Sequence, residues 1–331
     1  MRKITAVQYG LGPIGCMIAR LASKKGIEII GGIDIDKQKM GKDVGQVIGI
    51  EPLGVEVTSN AAEFLSKAKP DVVYLTTVSN LKNLMPQLDH CLEAGVNVIS
   101  TSEELVYPYA QHPELSIRID EKAKDRGIVI LGTGINPGFL FDTFIISMTS
   151  ICETVNRIRG LRIQDAAKRR LSLQRKIGAG LSKEEFETQI LNKRGHVGFV
   201  ESIRMITDSL KWKVEKIVQE MEPIIAEKNV KSDHIEVESG KVAGIKQTAR
   251  AHVGEQERIA LEIQFYIGAK DPHDSITVEG SPTIEFRNKK GIDGDIGTTA
   301  LAVNMTSAVI ESSPGLKTML DFPVSSGILK L

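Results

Sequence analysis

Three observations predict an α/β protein of two domains. Apolar strand and amphipathic helix patterns alternate over residues 1–135, long alternating strands crowd together between 136 and 295, and a glycine-rich turn separates the first strand from the first helix. The alternation calls for a parallel, helix-covered sheet of Rossmann type. The grouped strands call for a second, α+β domain with an open, mainly antiparallel sheet. Residues 296–331 read as a return to the first domain.

The opening strand, from Ile4, must become a helix near Pro13 through Gly10-Leu11-Gly12-Pro13-Ile14-Gly15. Gly10 supplies the tight turn, Gly12 lets the backbone approach a pyrophosphate, and Gly15 lets helix and strand pack closely. Pro13 suits a first helical turn, where its missing N–H has no partner to lose. The unpaired amides there favour an anion. The helix ends at Lys25-Gly26, and a second strand, Ile27 to Ile33, ends at Asp34. That acid lies about 20 residues past the glycines, where a carboxylate can take both ribose hydroxyls. The order of strand, turn, helix, strand and acid points to a nicotinamide dinucleotide. Asp34 opposes a 2′-phosphate and favours NAD, while Lys37 and Lys39 are close enough in sequence to admit NADP.

A polar linker and a glycine-rich passage lead to a short strand, Val55 to Val57, and a helix capped by Asn60. Val72 to Leu75 is a buried strand ending in Thr76-Thr77-Val78-Ser79. Ligands collect at the carboxyl ends of such strands, which makes Thr76, Thr77 and Ser79 candidates for ribose or nicotinamide contacts. Capping of the next helix, predicted over 82–94, explains the same residues equally well. The strand 96–100 ends in Thr101-Ser102-Glu103-Glu104, and the strand 128–131 in Gly132-Thr133-Gly134-Ile135-Asn136-Pro137-Gly138, an irregular backbone suited to a domain hinge. A helix is predicted over 139–151. The second domain reads as helices over 182–191 and 197–210 and strands over 214–221, 234–237, 242–252, 259–267 and 275–286. A final helix is expected over 297–311.

Lys and Arg number 42, balancing 42 Asp and Glu, so no nucleic-acid or membrane surface is indicated. No apolar run approaches the roughly 20 residues that span a bilayer, and the N-terminus enters a strand without a signal peptide. Cys16, Cys91 and Cys152 are scattered and odd in number, and the six histidines lack ligand spacing, so neither a disulfide framework nor a metal site is expected. A soluble, cytoplasmic protein with small-molecule partners follows.

Glu103 and Glu104 follow a strand that ends beside the expected nicotinamide, and their side chains must point differently. A carboxylate there can stabilise a cationic iminium, orient water and accept a proton, whereas it opposes the alkoxide of alcohol oxidation. Favourable placement at a helix start is the competing explanation. His196, between glycines and before a helix, can donate or accept near neutrality; a surface or capping role suits it as well. Arg157, Arg159 and Arg162 lie on one predicted strand, and an arginine facing a cleft could bind a substrate carboxylate through two hydrogen bonds.

Along nearly its whole length the sequence resembles the 2,4-diaminopentanoate dehydrogenases and native amine dehydrogenases, which share a dihydrodipicolinate-reductase-like architecture. The resemblance rests on Tyr9-Gly10-Leu11-Gly12, Ile99 to Glu104 with Tyr107-Pro108, Leu131 to Gly138, Gly195-His196-Val197-Gly198-Phe199 with Glu201-Ser202, and Pro314-Gly315-Leu316 with Thr318-Met319. It implies NAD(P)-dependent oxidative deamination of a small amine or diamino acid, reversible as reductive amination with ammonia, on a homodimer with substrate between domains. It also implies a catalytic glutamate, placed here on Glu104 with Glu103 in reserve. Arg162 is the candidate for a substrate carboxylate, with His196 and Asn136 as polar neighbours. The His-His and Lys segment of dihydrodipicolinate reductases is missing, which weakens an imine-reductase reading. That reading and a non-catalytic nicotinamide-binding sensor are the alternatives.

Overall fold

A computed structural model describes residues 3–191, 197–323 and 326–327. Its contacts form two units, Met1–Thr143 with Gly294–Leu331, and Phe144–Asp293. The sequence reading sets these limits at 135 and 296. The first falls later because residues 136–142 fold back on the preceding turn: Leu140 N–H donates to the Ile135 carbonyl at 2.9 Å and Gly138 N–H to Asp142 Oδ2 at 2.8 Å.

The first unit opens with strand β1 (Thr5–Tyr9), helix α1 (Pro13–Lys24), β2 (Glu28–Ile33), α2 (Val44–Ile48), β3 (Val57–Thr58), α3 (Ala61–Ala68), β4 (Val72–Leu75), α4 (Leu81–Ala94), β5 (Asn97–Ser100), α5 (Pro113–Arg126) and β6 (Val129–Gly132). Helix α6 (Thr143–Thr149) is shorter than predicted, since the turn at 136–142 consumes its first residues.

The second unit holds β7 (Thr154–Asp165), α7 (Leu171–Lys176), α8 (Lys183–Phe186), α9 (Phe199–Ser209), β8 (Lys216–Ile225), the short ribbon β9 (Val230–Lys231) and β10 (Glu236–Val237), then β11 (Val242–Val253), β12 (Gln256–Tyr266), β13 (His273–Ser281) and β14 (Ile284–Lys289). The predicted strand 275–286 is a hairpin, broken at Pro282-Thr283. The main sheet runs β14-β13-β7-β12-β11-β8, and β7 with β12 is its parallel pair; the other neighbours are antiparallel. Its core gathers Ala166, Ile177, Phe186, Val242 and Ile245.

The chain then returns to the first unit through α10 (Gly294–Asn304) and α11 (Thr306–Glu311), two helices where one is predicted. β15 (Gly315–Lys317) follows, a strand absent from the sequence reading. Three residues behind Pro314 carry too little periodicity to announce it. The sheet of this unit runs β15-β6-β5-β4-β1-β2-β3 with every pairing parallel. Strand order reverses between β1 and β4, and the crevice outside their carboxyl ends is where such sheets bind ligands. Branched aliphatics such as Val7, Val73, Val98 and Ile130 fill the core, as strands covered on both faces require.

Candidate active site

The switch point is built on Gly10, whose φ of 91° favours glycine. A side chain there would meet the Thr76 carbonyl oxygen at 2.7 Å, and one on Gly15 would overlap the Gly10 carbonyl oxygen. Above Gly12, by contrast, an added Cβ meets nothing within 4 Å. Two glycines are therefore demanded by packing and the third leaves an open approach. Pro13 is the first residue of α1, which has no capping side chain and no acid in its first turn. Asp43, Asn60 and Asn80 cap α2, α3 and α4, whereas the amides at the start of α1 have no side-chain cap and can take an external anion. Leu11 is buried and Ile14 half-buried in the same turn.

Gln8, buried in β1, holds the turn from beneath. Its amide donates to the Gly10 carbonyl at 2.9 Å and to Thr76 Oγ1 at 2.8 Å, while Thr76 Oγ1 donates to Gly10 O at 2.9 Å. Thr76 thus braces the glycine turn. Thr77 is exposed and donates to Gln87 Oε1 at 2.7 Å. The Ser79 carbonyl accepts from Ser102 Oγ and from Glu104 N–H, tying the end of β4 to that of β5. A polar residue inside the apolar run Ala6-Val7-Gln8-Tyr9 was the available signal for Gln8.

Asp34 follows β2 directly, with its carboxylate on the same turn. Oδ2 accepts from Leu11 N–H at 2.7 Å and from Lys39 Nζ at 3.2 Å, and Oδ1 accepts from Asp36 N–H at 2.9 Å. Partial burial pushes its pKa up, but the backbone donors of Asp36 and Leu11, with the Lys39 ammonium, outweigh this and hold it below the ordinary carboxylate value. Lys39 is shared with Asp36, at 3.3 Å.

Beyond β5 a single 3₁₀ turn, Glu103–Leu105, carries both acids. Successive residues of such a turn stand about 120° apart, so they face differently. Glu104 turns inward and is 2 % exposed. Asn80 Nδ2 donates to both its oxygens at 2.9 Å, and Oε2 also accepts from Leu81 N–H and His112 Nε2, each at 2.8 Å. Glu103 is half-buried. The turn rests on Gly132 at the end of β6, where any side chain would overlap the Leu105 backbone. Asn136, also half-buried, follows β6 on the same edge of the sheet, and its peptide bond to Pro137 is cis.

Arg162 lies in the second unit and is buried. It is 3 % exposed, with Nε 3.0 Å from Asp274 Oδ1 and an Nη2 donor on the Ile292 carbonyl. Strand parity explains this: Arg157 and Arg159 share the outward face of β7, while Arg162 falls in register with the buried Ile158 and Gly160. Its guanidinium pairs with Asp274 and the Ile292 carbonyl, where the sequence reading expects a substrate carboxylate. His196 lies outside the described residues.

A family model described as the 2,4-diaminopentanoate dehydrogenase C-terminal domain matches residues 139–331. One described as the dihydrodipicolinate reductase N-terminus matches residues 6–104. The 2,4-diaminopentanoate dehydrogenase of Acetoanaerobium sticklandii is 35% identical over 340 residues, covering 99% of this chain and 96% of that protein. The chain belongs to the 2,4-diaminopentanoate dehydrogenase family. Among solved structures, the amine dehydrogenase from Mycobacterium smegmatis superposes with a TM-score of 0.86 at 27% identity, covering 98% of this chain and 97% of that one. A myo-inositol dehydrogenase from Lactobacillus casei, with a TM-score of 0.58 at 12% identity over 97% of this chain and 90% of that one, shares the fold. The 4-hydroxy-tetrahydrodipicolinate reductase of Methanosphaera stadtmanae is 33% identical over 98 residues, 28% of this chain and 35% of that protein.

The family's dinucleotide chemistry fits the residues found. The open approach at Gly12, the uncapped start of α1 and the Asp34 carboxylate beside them suit a pyrophosphate and a ribose. Gly15→Ala is expected to abolish NAD(P) binding, because its Cβ displaces the Gly10 carbonyl. Gly12→Ala is expected to fold normally and weaken binding about tenfold or more by crowding the pyrophosphate, on the scale of one lost charge-assisted hydrogen bond. Fluorescence titration beside a thermal melt distinguishes the two. Among the described residues no helix is long and apolar enough to cross a membrane.

Proposed function

We propose that this chain oxidatively deaminates 2,4-diaminopentanoate or a closely related small amine with NAD(P), and runs in reverse as reductive amination with ammonia. The observation that carries this is the acidic turn at the carboxyl end of β5, beside the glycine cradle, in a chain related over its full length to a 2,4-diaminopentanoate dehydrogenase. A carboxylate there favours a cationic iminium and disfavours an alkoxide. The likeness to dihydrodipicolinate reductases at the sequence level covers 28% of the chain and speaks to the nucleotide-binding part.

The two acids divide the work. Glu104 turns inward onto Asn80, Leu81 and His112 and Glu103 faces differently from the same 3₁₀ turn, so we assign the substrate-facing role to Glu103. Bound nicotinamide supplies the hydride acceptor. Glu103 then stands as the counter-charge to the substrate iminium, takes a proton from the adding water, and returns it to the nitrogen as ammonia leaves. Asn136, on the neighbouring strand end, is the polar neighbour we assign to the substrate.

NAD is the cofactor we assign as preferred, since the Asp34 carboxyl, held below the ordinary carboxylate value beside the glycine turn, opposes a 2′-phosphate, and NADP is admitted through Lys39. Lys39→Ala is expected to lower kcat/KM with NADP about tenfold, the scale of a hydrogen bond to a charged group, and to leave NAD nearly unaffected. Equal loss with both cofactors refutes that role for Lys39. A cytoplasmic homodimer completes the proposal, and the free thiols of all three cysteines suit a reducing compartment.

The test is the absorbance of reduced nicotinamide when the protein meets NAD or NADP with 2,4-diaminopentanoate, simple amines or alanine. Turnover with the diamino acid supports the reading. Turnover of none of the amines, with reduction of a cyclic imine, overturns it.

A further inference from the structure

The assigned chemistry leaves Glu104 and His112 unused, although they form a part-buried acid–imidazole contact in the first unit. Three elements meet at this carboxylate. The start of α4 contributes Asn80 Nδ2 and Leu81 N–H, the 3₁₀ turn contributes Glu104 itself, and His112 arrives from the residue preceding α5, itself 11 % exposed. Burying an ion is costly unless donors replace its water, and here donors from two helix starts do so. A single carboxylate thereby pins the turn that carries Glu103.

We infer that Glu104 is a positioning residue for Glu103, and that His112, by donating from Nε2 to Glu104 Oε2, is its positioning partner. This rests on the reading of Glu103 as the acid that faces the substrate. The glycine turn does not depend on the clamp, because Thr76 is braced separately by Gln8 and the Gly10 carbonyl. Loosening the clamp therefore lets Glu103 drift while the cofactor cradle keeps its shape. A displacement of about 1 Å in a reacting group can cost about 100-fold in rate.

Four variants of the full chain test this, each with kcat, amine KM, NAD(P) Kd and a melting temperature. His112→Leu removes the donor and strands the acid; His112→Gln offers an amide donor of similar reach; Glu104→Gln keeps the shape but faces donors with its own amide; Glu103→Gln tests the underlying reading. The expected result is a kcat about 10- to 100-fold lower in His112→Leu and Glu104→Gln, with cofactor Kd within about threefold of the parent and recovery in His112→Gln. Parental kcat in His112→Leu overturns the clamp, as does an equal loss in His112→Leu and His112→Gln that follows the melting temperature. Parental turnover in Glu103→Gln overturns the underlying reading instead, so the two failures are distinguishable.

Discussion

Glu103→Gln is expected to lower kcat by about 10²- to 10⁴-fold, the usual contribution of a positioned acid–base group, while NAD(P) still binds. The substitution preserves volume and, on the role proposed for Glu103, removes the charge that faces the iminium and the base that activates water. Both losses fall on the chemical step. The amine KM is expected to change little, because Gln still offers an acceptor oxygen to the ammonium. Pre-steady-state measurement separates the two contributions: loss of iminium stabilisation slows formation of reduced nicotinamide in the first turnover, and loss of the base slows ammonia release. A variant in which both steps run at the parental rate removes Glu103 from the chemistry.

Asp274→Leu is expected to destabilise the second unit by about 3–5 kcal/mol, the cost of leaving a buried charge without its partner. Asp274 is fully buried; beyond Arg162, it accepts from Ile292 N–H at 2.7 Å through Oδ2. Burial pushes the Arg162 guanidinium pKa down, and the Asp274 carboxylate opposes that shift. Removing the acid strands the cation and frees the segment just before Gly294, where the chain leaves this unit. The double variant Arg162→Leu with Asp274→Leu is expected to recover most of the loss, since an apolar pair can replace a buried ion pair at little cost. Urea unfolding followed by circular dichroism gives the three values. If Arg162→Leu alone leaves stability intact and instead raises KM for the diamino acid but not for simple amines, Arg162 holds the substrate carboxylate after all.

Local pattern made the nucleotide-binding half readable. The three glycines, Pro13 and Asp34 sit within thirty residues of one another, and each answers to a constraint on its own backbone or on the adjacent strand. What escaped were features decided by distant partners. Glu103 and Glu104 are neighbours of the same type, and the inward turn of Glu104 depends on Asn80 and His112, which lie 24 and 8 residues from it. No pattern in the sequence marks His112. Arg162 was legible in principle, because counting in twos from Arg157 and Arg159 places it on the opposite, buried face of β7. Its engagement by Asp274, 112 positions on in the chain, was not. β15 is too short to show periodicity, and the break between α10 and α11 at Met305 carries no proline or glycine.

The most direct measurement is the ammonium released per reduced nicotinamide formed, with 2,4-diaminopentanoate as substrate. One ammonium for each reduced nicotinamide is the expected result, and in reverse the oxidation of reduced nicotinamide with the ketone should require added ammonia. Reduced nicotinamide formed with no ammonium released would contradict an oxidative deamination.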